Sequence, residues 1–196
     1  LHKAIRRQRQ MCIRDRSRNK KRTHTGLPYA SYSLSERRAA VEKELQLQPR
    51  LQCIASLVPQ GARLADVGTD HGYLPVWLLQ HGRIESAIAS DINALPLDHA
   101  RATAREYGVT ERMDFRLCPG LAKIKAEECD AIAIAGMGGE TIWGILAAAP
   151  WTRDGRHTLL LQPQTKIEEL RLRLCENGYA VTREHLVRDK GKLYVV

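Results

Sequence analysis

The 196-residue chain is predicted to fold as an α/β domain built on a mostly parallel β-sheet. Three observations lead to this prediction. From about residue 47 onwards short apolar runs alternate with helical patterns, a glycine-containing turn follows the first run, and no helix separates the last two runs. Alternation of this kind is typical of βαβ units, whereas two strands joined by a short turn form an antiparallel hairpin.

The first half of the pattern starts with a helix. Leu51, Ile54, Ala55 and Val58 recur at helical spacing over residues 47–58, and a proline and a glycine follow. The next predicted elements are a strand over 63–67, a helix over 73–81, a strand over 84–89, a helix over 94–107 and a strand over 112–117.

The second half opens with a continuous apolar run, residues 131–135, which indicates a strand buried on both faces. The elements after it are a helix over 139–148, a strand over 158–161, an amphipathic helix over 165–176 and two strands over 179–187 and 192–196. The last two strands are expected to form an antiparallel hairpin at the end of the parallel sheet. Because the chain stops inside the second of them, we expect the domain to be truncated.

Charge divides the chain into two regions. Residues 1–44 hold 13 Lys and Arg against 4 Asp and Glu, which accounts for the whole net charge of +9. We interpret them as a basic leader, disordered or non-native, outside a domain over 45–196. An organelle transit peptide and a nucleic-acid-binding arm are the alternatives, but residues 11–16 look like translated adapter sequence, which we favour.

Composition also excludes some classes of protein. No apolar run is long enough to span a bilayer, so no membrane association is predicted. The five cysteines form no C-x-x-C pair, and we predict no metal site. Scattered free thiols are typical of a reducing compartment, and the protein is therefore expected to be cytoplasmic.

The turn Asp66–Gly72 is the strongest functional signal, because ligands of open α/β sheets bind beyond the carboxyl ends of the strands. Its spacing is D-x-G-x-x-x-G rather than the G-x-G-x-x-G of dinucleotide enzymes. Asp70 replaces the middle glycine, and a carboxylate there would repel a pyrophosphate. S-adenosylmethionine carries no phosphate and is the predicted cofactor. The alternative is an ordinary turn with a capping aspartate.

Three further segments follow strands of the same sheet. Asp91 lies 23 residues after Gly68, a distance that suits an acceptor for ribose hydroxyls, although a strand-end aspartate is often a helix cap. The loop 118–120 is expected to flank an adenine ring. Residues 135–139 hold three glycines, which leave an open backbone or allow close helix packing.

These segments resemble one family. Asp66–Pro75 (DVGTDHGYLP), Ile134–Gly139 (IAGMGG) and Leu161–Gln164 (LQPQ) look like TrmK, the bacterial tRNA adenine N1-methyltransferases, over roughly residues 45–196. The resemblance implies a class I S-adenosylmethionine-dependent methyltransferase fold, which is Rossmann-like with an antiparallel last strand. It also implies a C-terminal helical domain, absent here, and methyl transfer to N1 of an adenosine in tRNA, adenine 22 in the family.

The resemblance assigns Gly68 and Asp91 to the amino acid and ribose of the cofactor and Asp70 to the chemical step, and the remaining site residues follow from their positions in the loops. Asp70 matches the acid of the chemical step, and we expect it to accept a hydrogen bond from the target base. The residues expected to bind the cofactor are Asp66, Gly68, Asp91, Ile92, Gly120 and Gly136. Those expected to bind the tRNA are His71, Tyr73, Arg50 and Met137. A structural hydrogen bond is the alternative for His71, and for Arg50 the alternatives are contact with the cofactor carboxylate and an exposed position at the helix start.

One position departs from the family pattern. Cys118-Pro119-Gly120 stands where the family usually has Gly-Asp-Gly, so the acid that would accept the adenine amino group is missing. Weaker cofactor binding, or another partner for that amino group, is expected. Three other functions stay open on sequence alone: methyl transfer to a non-RNA substrate, a nicotinamide-dependent oxidoreductase and a non-catalytic RNA-binding module.

Overall fold

The computed structural model describes residues 44–196 and contains a five-stranded sheet in which all neighbouring strands are parallel. The strand order is β3-β2-β1-β4-β5. The strands are β1 (Ala62–Val67), β2 (Ile84–Asp91), β3 (Met113–Leu117), β4 (Ala131–Met137) and β5 (Thr158–Pro163). The chain order reverses between β1 and β4, which is where open α/β sheets bind their ligands.

Helices connect the strands, as the alternating pattern predicts. They are α1 (Pro49–Leu57), α2 (Tyr73–Gln80), α3 (Ala94–Glu106), α4 (Gly139–Ala147) and α5 (Ile167–Glu176). Three short 3₁₀ turns complete the connections, at Thr110–Arg112, Ala126–Glu128 and Pro150–Arg153. Within residues 44–196 no helix combines the length and the apolar character that crossing a bilayer requires. The predicted basic leader lies outside the described residues, apart from residue 44.

The core has two halves because alternate residues of a strand face opposite sides of the sheet. On β4, Ala131 and Ala133 pack with the first half, which also holds buried residues of α1 and α2. Ile132 and Ile134 pack with the second half, together with buried residues of α4 and α5. The sheet is therefore covered on both faces, as a parallel sheet requires.

The C-terminal hairpin forms as predicted but does not join the hydrogen-bonded ladder of the parallel sheet. Strands β6 (Leu186–Asp189) and β7 (Lys192–Val195) pair antiparallel as a separate two-stranded sheet. Strand β7 lies against β5, the last strand of the parallel sheet, but no ladder joins the two. Residues 179–185 make no strand, and at their start the Tyr179 N–H donates to the Leu174 carbonyl oxygen while the Tyr179 hydroxyl hydrogen-bonds to Thr152 Oγ1.

The parallel arrangement brings the functional segments to one edge. Val67 at the end of β1 pairs in register with Ser90 of β2 and Ile134 of β4. The turn after β1, Asp91 and the glycine-rich segment after β4 therefore lie at the carboxyl edge of the sheet. The fold class expected from sequence is confirmed.

Candidate functional site

The turn after β1 is fastened to β2 by its backbone. The N–H groups of Gly68 and Thr69 both donate to the carbonyl oxygen of Ser90, at 2.8 and 3.1 Å. Gly68 has φ +74°, a conformation that suits glycine, and Met137 Cε lies where a Cβ on residue 68 would stand. The backbone conformation thus favours glycine here, whereas the Met137 methyl group is the end of a flexible side chain and could move aside.

Asp66 folds the same turn from inside. Its carboxylate is 7% exposed and accepts a hydrogen bond from Thr69 Oγ1 at 2.6 Å. Burial raises the pKa of Asp66 to about 6, since removal from water disfavours the charged form. The hydrogen bond from Thr69 lowers this pKa, and the charge of Asp91 raises it. Two carboxylates at one edge make the site favourable for a cationic group.

Asp70 faces the other way. It adopts φ +48°, which is uncommon for a residue other than glycine, and its side chain is 73% exposed. His71 Nε2 lies 3.7 Å from its Oδ1. Backbone strain of this kind clusters at functional sites, and it places an accessible carboxylate beside the turn.

A stack of rings lies next to Asp70. The imidazole of His71 is parallel to the Tyr73 ring within 8°, with centroids 5.1 Å apart. It is also parallel to the imidazole of His99 within 6°, at 4.8 Å. His99 was not predicted as a site residue, because nothing in the local pattern of α3 shows that it approaches α2.

Asp70, His71 and His99 also bring ligand atoms within 4.8 Å of one another. Such a group raises the question of a metal ion. The two imidazole planes are nearly parallel, so their in-plane lone pairs do not converge on one point. The geometry is that of an aromatic surface, and the absence of a metal site stays a prediction.

Asp91 ends β2 with one carboxylate oxygen occupied. Oδ1 accepts the N–H of Asn93, two residues further on, at 2.8 Å, as in an Asx turn, while Oδ2 makes no hydrogen bond within the described residues. Ile92 beside it is 68% exposed. Cys118 N–H donates to the carbonyl oxygen of Asp91, which joins the loop after β3 to this edge. In that loop Gly120 has φ +53° and packs against Ile145.

The segment after β4 contains a β-bulge. Ala135 pairs with Gln162 and Met137 with Pro163, so Gly136 has no partner residue on β5. Gly136 N–H donates instead to Gln162 Oε1 at 3.1 Å. Gly139, which begins α4, leaves no room for a Cβ beside the backbone carbonyl of Lys166, so the close-packing alternative holds at this glycine.

The side chain of Arg50, on α1, lies next to the bulge. Its Nη1 lies 3.4 Å from Gln162 Oε1, and its Nε lies 3.7 Å from the carboxylate of Asp189 on β6. The alternative of an exposed arginine at the helix start is therefore wrong, since the side chain of Arg50 is only 25% exposed and has protein partners. The role of Gln162 was not predicted either, although the LQPQ motif that contains it was noted.

Fold and site together define a methyltransferase domain. Residues 47–196 match the family described as "Methyltransferase domain". Among curated relatives, the tRNA (adenine(22)-N(1))-methyltransferase of Bacillus subtilis is 38% identical over 153 residues, which are 78% of this chain and 64% of that protein. The chain thus spans slightly under two thirds of the length of this relative.

Solved structures point the same way. The crystal structure of B. subtilis TrmK superposes with a TM-score of 0.74 at 38% identity, covering 78% of this chain and 65% of that one. M. capricolum TrmK in complex with S-adenosyl-homocysteine gives 0.68 at 30% identity, covering 76% and 66%. A Streptococcus pneumoniae structure in complex with S-adenosyl-L-methionine gives 0.70 at 37% identity, covering 74% and 69%. The chain belongs to the TrmK family, as the sequence motifs predict.

Proposed function

We propose that the protein transfers a methyl group from S-adenosylmethionine to N1 of an adenosine in tRNA, adenine 22 by analogy with its relatives. The observation that carries the proposal is that one turn holds two carboxylates in different environments, one buried and one exposed. Asp66 is buried on the side that would face the cofactor, and Asp70 is exposed on the side that would face a base. A tRNA substrate also supports a cytoplasmic location.

The residues present fit the cofactor. The buried carboxylate of Asp66 would attract its cationic amino group, and Gly68 lets the ligand approach the backbone. Asp91 Oδ2 can accept a ribose hydroxyl. Ile92, which is largely exposed, and Gly120 would flank the adenine, while Gly136 would line the entrance. Pro119 offers no acceptor to the adenine amino group, so we expect lower affinity than in relatives with an aspartate there.

The chemistry places modest demands on the protein. The cofactor supplies an electrophilic methyl group whose departure leaves a neutral sulfide, so no acid is needed to expel it. N1 of adenine carries a lone pair and needs no base. The protein must therefore align the two reactants and exclude water. Asp70 would accept a hydrogen bond from the N6 amino group and stabilise the cationic product base.

The ring stack suggests how the base is held. Tyr73 is partly exposed beside His71, and aromatic rings commonly hold unstacked RNA bases. We therefore place the target adenine against this surface, within reach of Asp70. Direct contacts of Arg50 and Met137 with the tRNA stay predictions.

A methyl-transfer assay tests the proposal. The 196-residue chain is incubated with tritiated S-adenosylmethionine and two transcripts of one tRNA, with adenosine or guanosine at position 22. We expect label only on the adenosine transcript, and 1-methyladenosine on nucleoside analysis. Calorimetry with S-adenosyl-homocysteine and with NAD is the companion measurement. Binding of S-adenosyl-homocysteine without labelling of either transcript or of bulk tRNA would exclude tRNA methylation. Binding of NAD but not of S-adenosyl-homocysteine would exclude S-adenosylmethionine as the cofactor.

A further inference from the structure

Gln162 is the buried polar residue of the LQPQ motif, and the proposed chemistry gives it no role. It is fully buried in β5, opposite the bulge of β4. A bulge leaves one residue out of the ladder and re-aims the residues after it. A buried N–H outside the ladder needs another acceptor, because an unsatisfied backbone group is costly.

The Gln162 amide supplies that acceptor. Its Oε1 accepts the Gly136 N–H at 3.1 Å, and its Nε2 donates to the carbonyl oxygen of Pro163 at 3.1 Å. Gly136 itself has φ +77°, so the bulge also depends on the absence of a Cβ. The side chain thus replaces the missing strand partner.

Two further side chains hold the amide in place. Arg50 Nη1 approaches the same Oε1 at 3.4 Å, while Arg50 Nε faces the Asp189 carboxylate at 3.7 Å. Asp189 is 5% exposed, and a carboxylate so far from water requires a partner. The contacts therefore run from the C-terminal hairpin through Arg50 and Gln162 to the bulge.

The bulge decides where Met137 lies. Met137 is the next residue along β4, and its Cε occupies the space beside Gly68 that a Cβ would fill. The Gln164 N–H donates to the Met137 carbonyl oxygen at 2.8 Å and fixes the backbone on the C-terminal side of the bulge. Loss of the Gln162 acceptor would release the Gly136 N–H on the other side of Met137, and the Met137 side chain would then move away from the turn that carries Asp70.

We propose that Gln162 is a positioning residue that builds the bulge at Gly136 and so holds Met137 against the Gly68 turn, with Arg50 and Asp189 carrying this constraint to the hairpin. Its kinetic consequence rests on the proposed function. The geometric consequence does not, which allows the two to be tested separately.

The test uses the methyl groups of methionine, of which the chain has three. Selective ¹³C-methyl labelling gives one signal each for Met11, Met113 and Met137, and Met137→Leu assigns the last. We expect Gln162→Leu to shift or broaden the Met137 signal and leave that of Met113 in place. Gln52→Leu is the matched control, because its exposed side chain on α1 makes no hydrogen bond within the described residues, and the Met137 signal of this variant should stay near the wild-type position.

Kinetics and a second variant complete the experiment. Gln162→Leu should lower kcat for tRNA at least tenfold while the Kd of S-adenosyl-homocysteine changes less than threefold, because Ser90 fastens the Gly68 turn independently. Asp189→Asn should move the Met137 signal in the same direction by a smaller amount. An unmoved Met137 signal in a folded Gln162→Leu protein would overturn the proposal. If Gln162→Leu does not fold, an unmoved signal in Asp189→Asn would do so. A wild-type chain without transferase activity would count against the proposed function alone, since the methyl signals still test the positioning.

Discussion

Replacing Asp66 by asparagine should stabilise the protein, with a gain that depends on pH. The side chain keeps its shape and its acceptor for the Thr69 hydroxyl, but it no longer carries a buried charge. A carboxyl whose folded-state pKa is raised penalises folding wherever it must ionise. The penalty is complete above pH 6 and fades as pH falls through 6 towards 3.8.

The pKa shift sets the magnitude. A rise from 3.8 to about 6 corresponds to about 3 kcal/mol at 1.36 kcal/mol for each pKa unit. Linkage gives nearly this full value at pH 8 and about half of it at pH 5, where the folded-state carboxyl is mostly protonated already. Any pH-independent cost of the amide shifts both values equally, so the difference of about 1.4 kcal/mol between the two pH values is the diagnostic quantity.

Urea unfolding of wild type and Asp66→Asn at pH 5 and pH 8 measures this difference. Asp130→Asn is the control, because hydrogen bonds from Arg63 lower the pKa of Asp130 to about 2. That variant should lose about 1 kcal/mol after allowance for solvent screening, equally at both pH values, since neither lies within its titration range. A change in stability that is the same at pH 5 and pH 8 in Asp66→Asn would show that burial does not raise the pKa of Asp66.

Three other substitutions test the site. Asp70→Asn should leave the Kd of S-adenosyl-homocysteine within threefold of wild type and lower kcat at least tenfold, because only the transition state develops charge near it; equal losses in both would make Asp70 a cofactor ligand. Asp91→Ala should weaken S-adenosyl-homocysteine about tenfold or more in calorimetry through the lost ribose acceptor, and unchanged affinity would remove that role. Gly139→Ala should lower Tm by several degrees more than Gly144→Ala on the same helix, because a Cβ at 139 meets the Lys166 backbone while one at 144 meets open space; equal Tm values would contradict the packing.

The sheet could be predicted from the sequence because each of its strands has a recognisable local pattern of apolar residues. The apolar run after Asp130 has no polar break, and every predicted helix begins within two residues of its observed start. The end of β4 was placed at residue 135, two residues early, because its last pairing passes over a bulge. A glycine ordinarily signals the end of a strand, and only the partner strand shows that pairing resumes at Met137.

The hairpin and the side-chain network were beyond the reach of local patterns. Alternating residues in 179–187 predict a strand, but Tyr179 at its start is held by a hydrogen bond to Thr152, 27 positions away in the chain. Arg50 and Gln162 are 112 positions apart in the chain. His99 likewise joins the ring stack only because α3 packs beside α2. Each of these depends on which surfaces meet after folding.

The raised pKa of Asp66 leads to a further prediction that concerns binding. A cationic amino group placed beside this carboxylate would favour its charged form, so binding should release a proton wherever Asp66 is protonated in the free protein. The affinity for S-adenosyl-homocysteine should therefore be constant above pH 7 and fall below pH 6, by up to tenfold for each pH unit.

Calorimetry at several pH values, in buffers of different ionisation enthalpy, measures both the affinity and the released proton. Asp66→Asn is the control and should bind more weakly with no pH dependence between 5 and 8. An affinity of the wild type that is flat over this range would show that the amino group does not lie beside Asp66. The stability that asparagine adds and the pH-dependent affinity that it removes have the same origin, the buried charge of the Asp66 carboxylate.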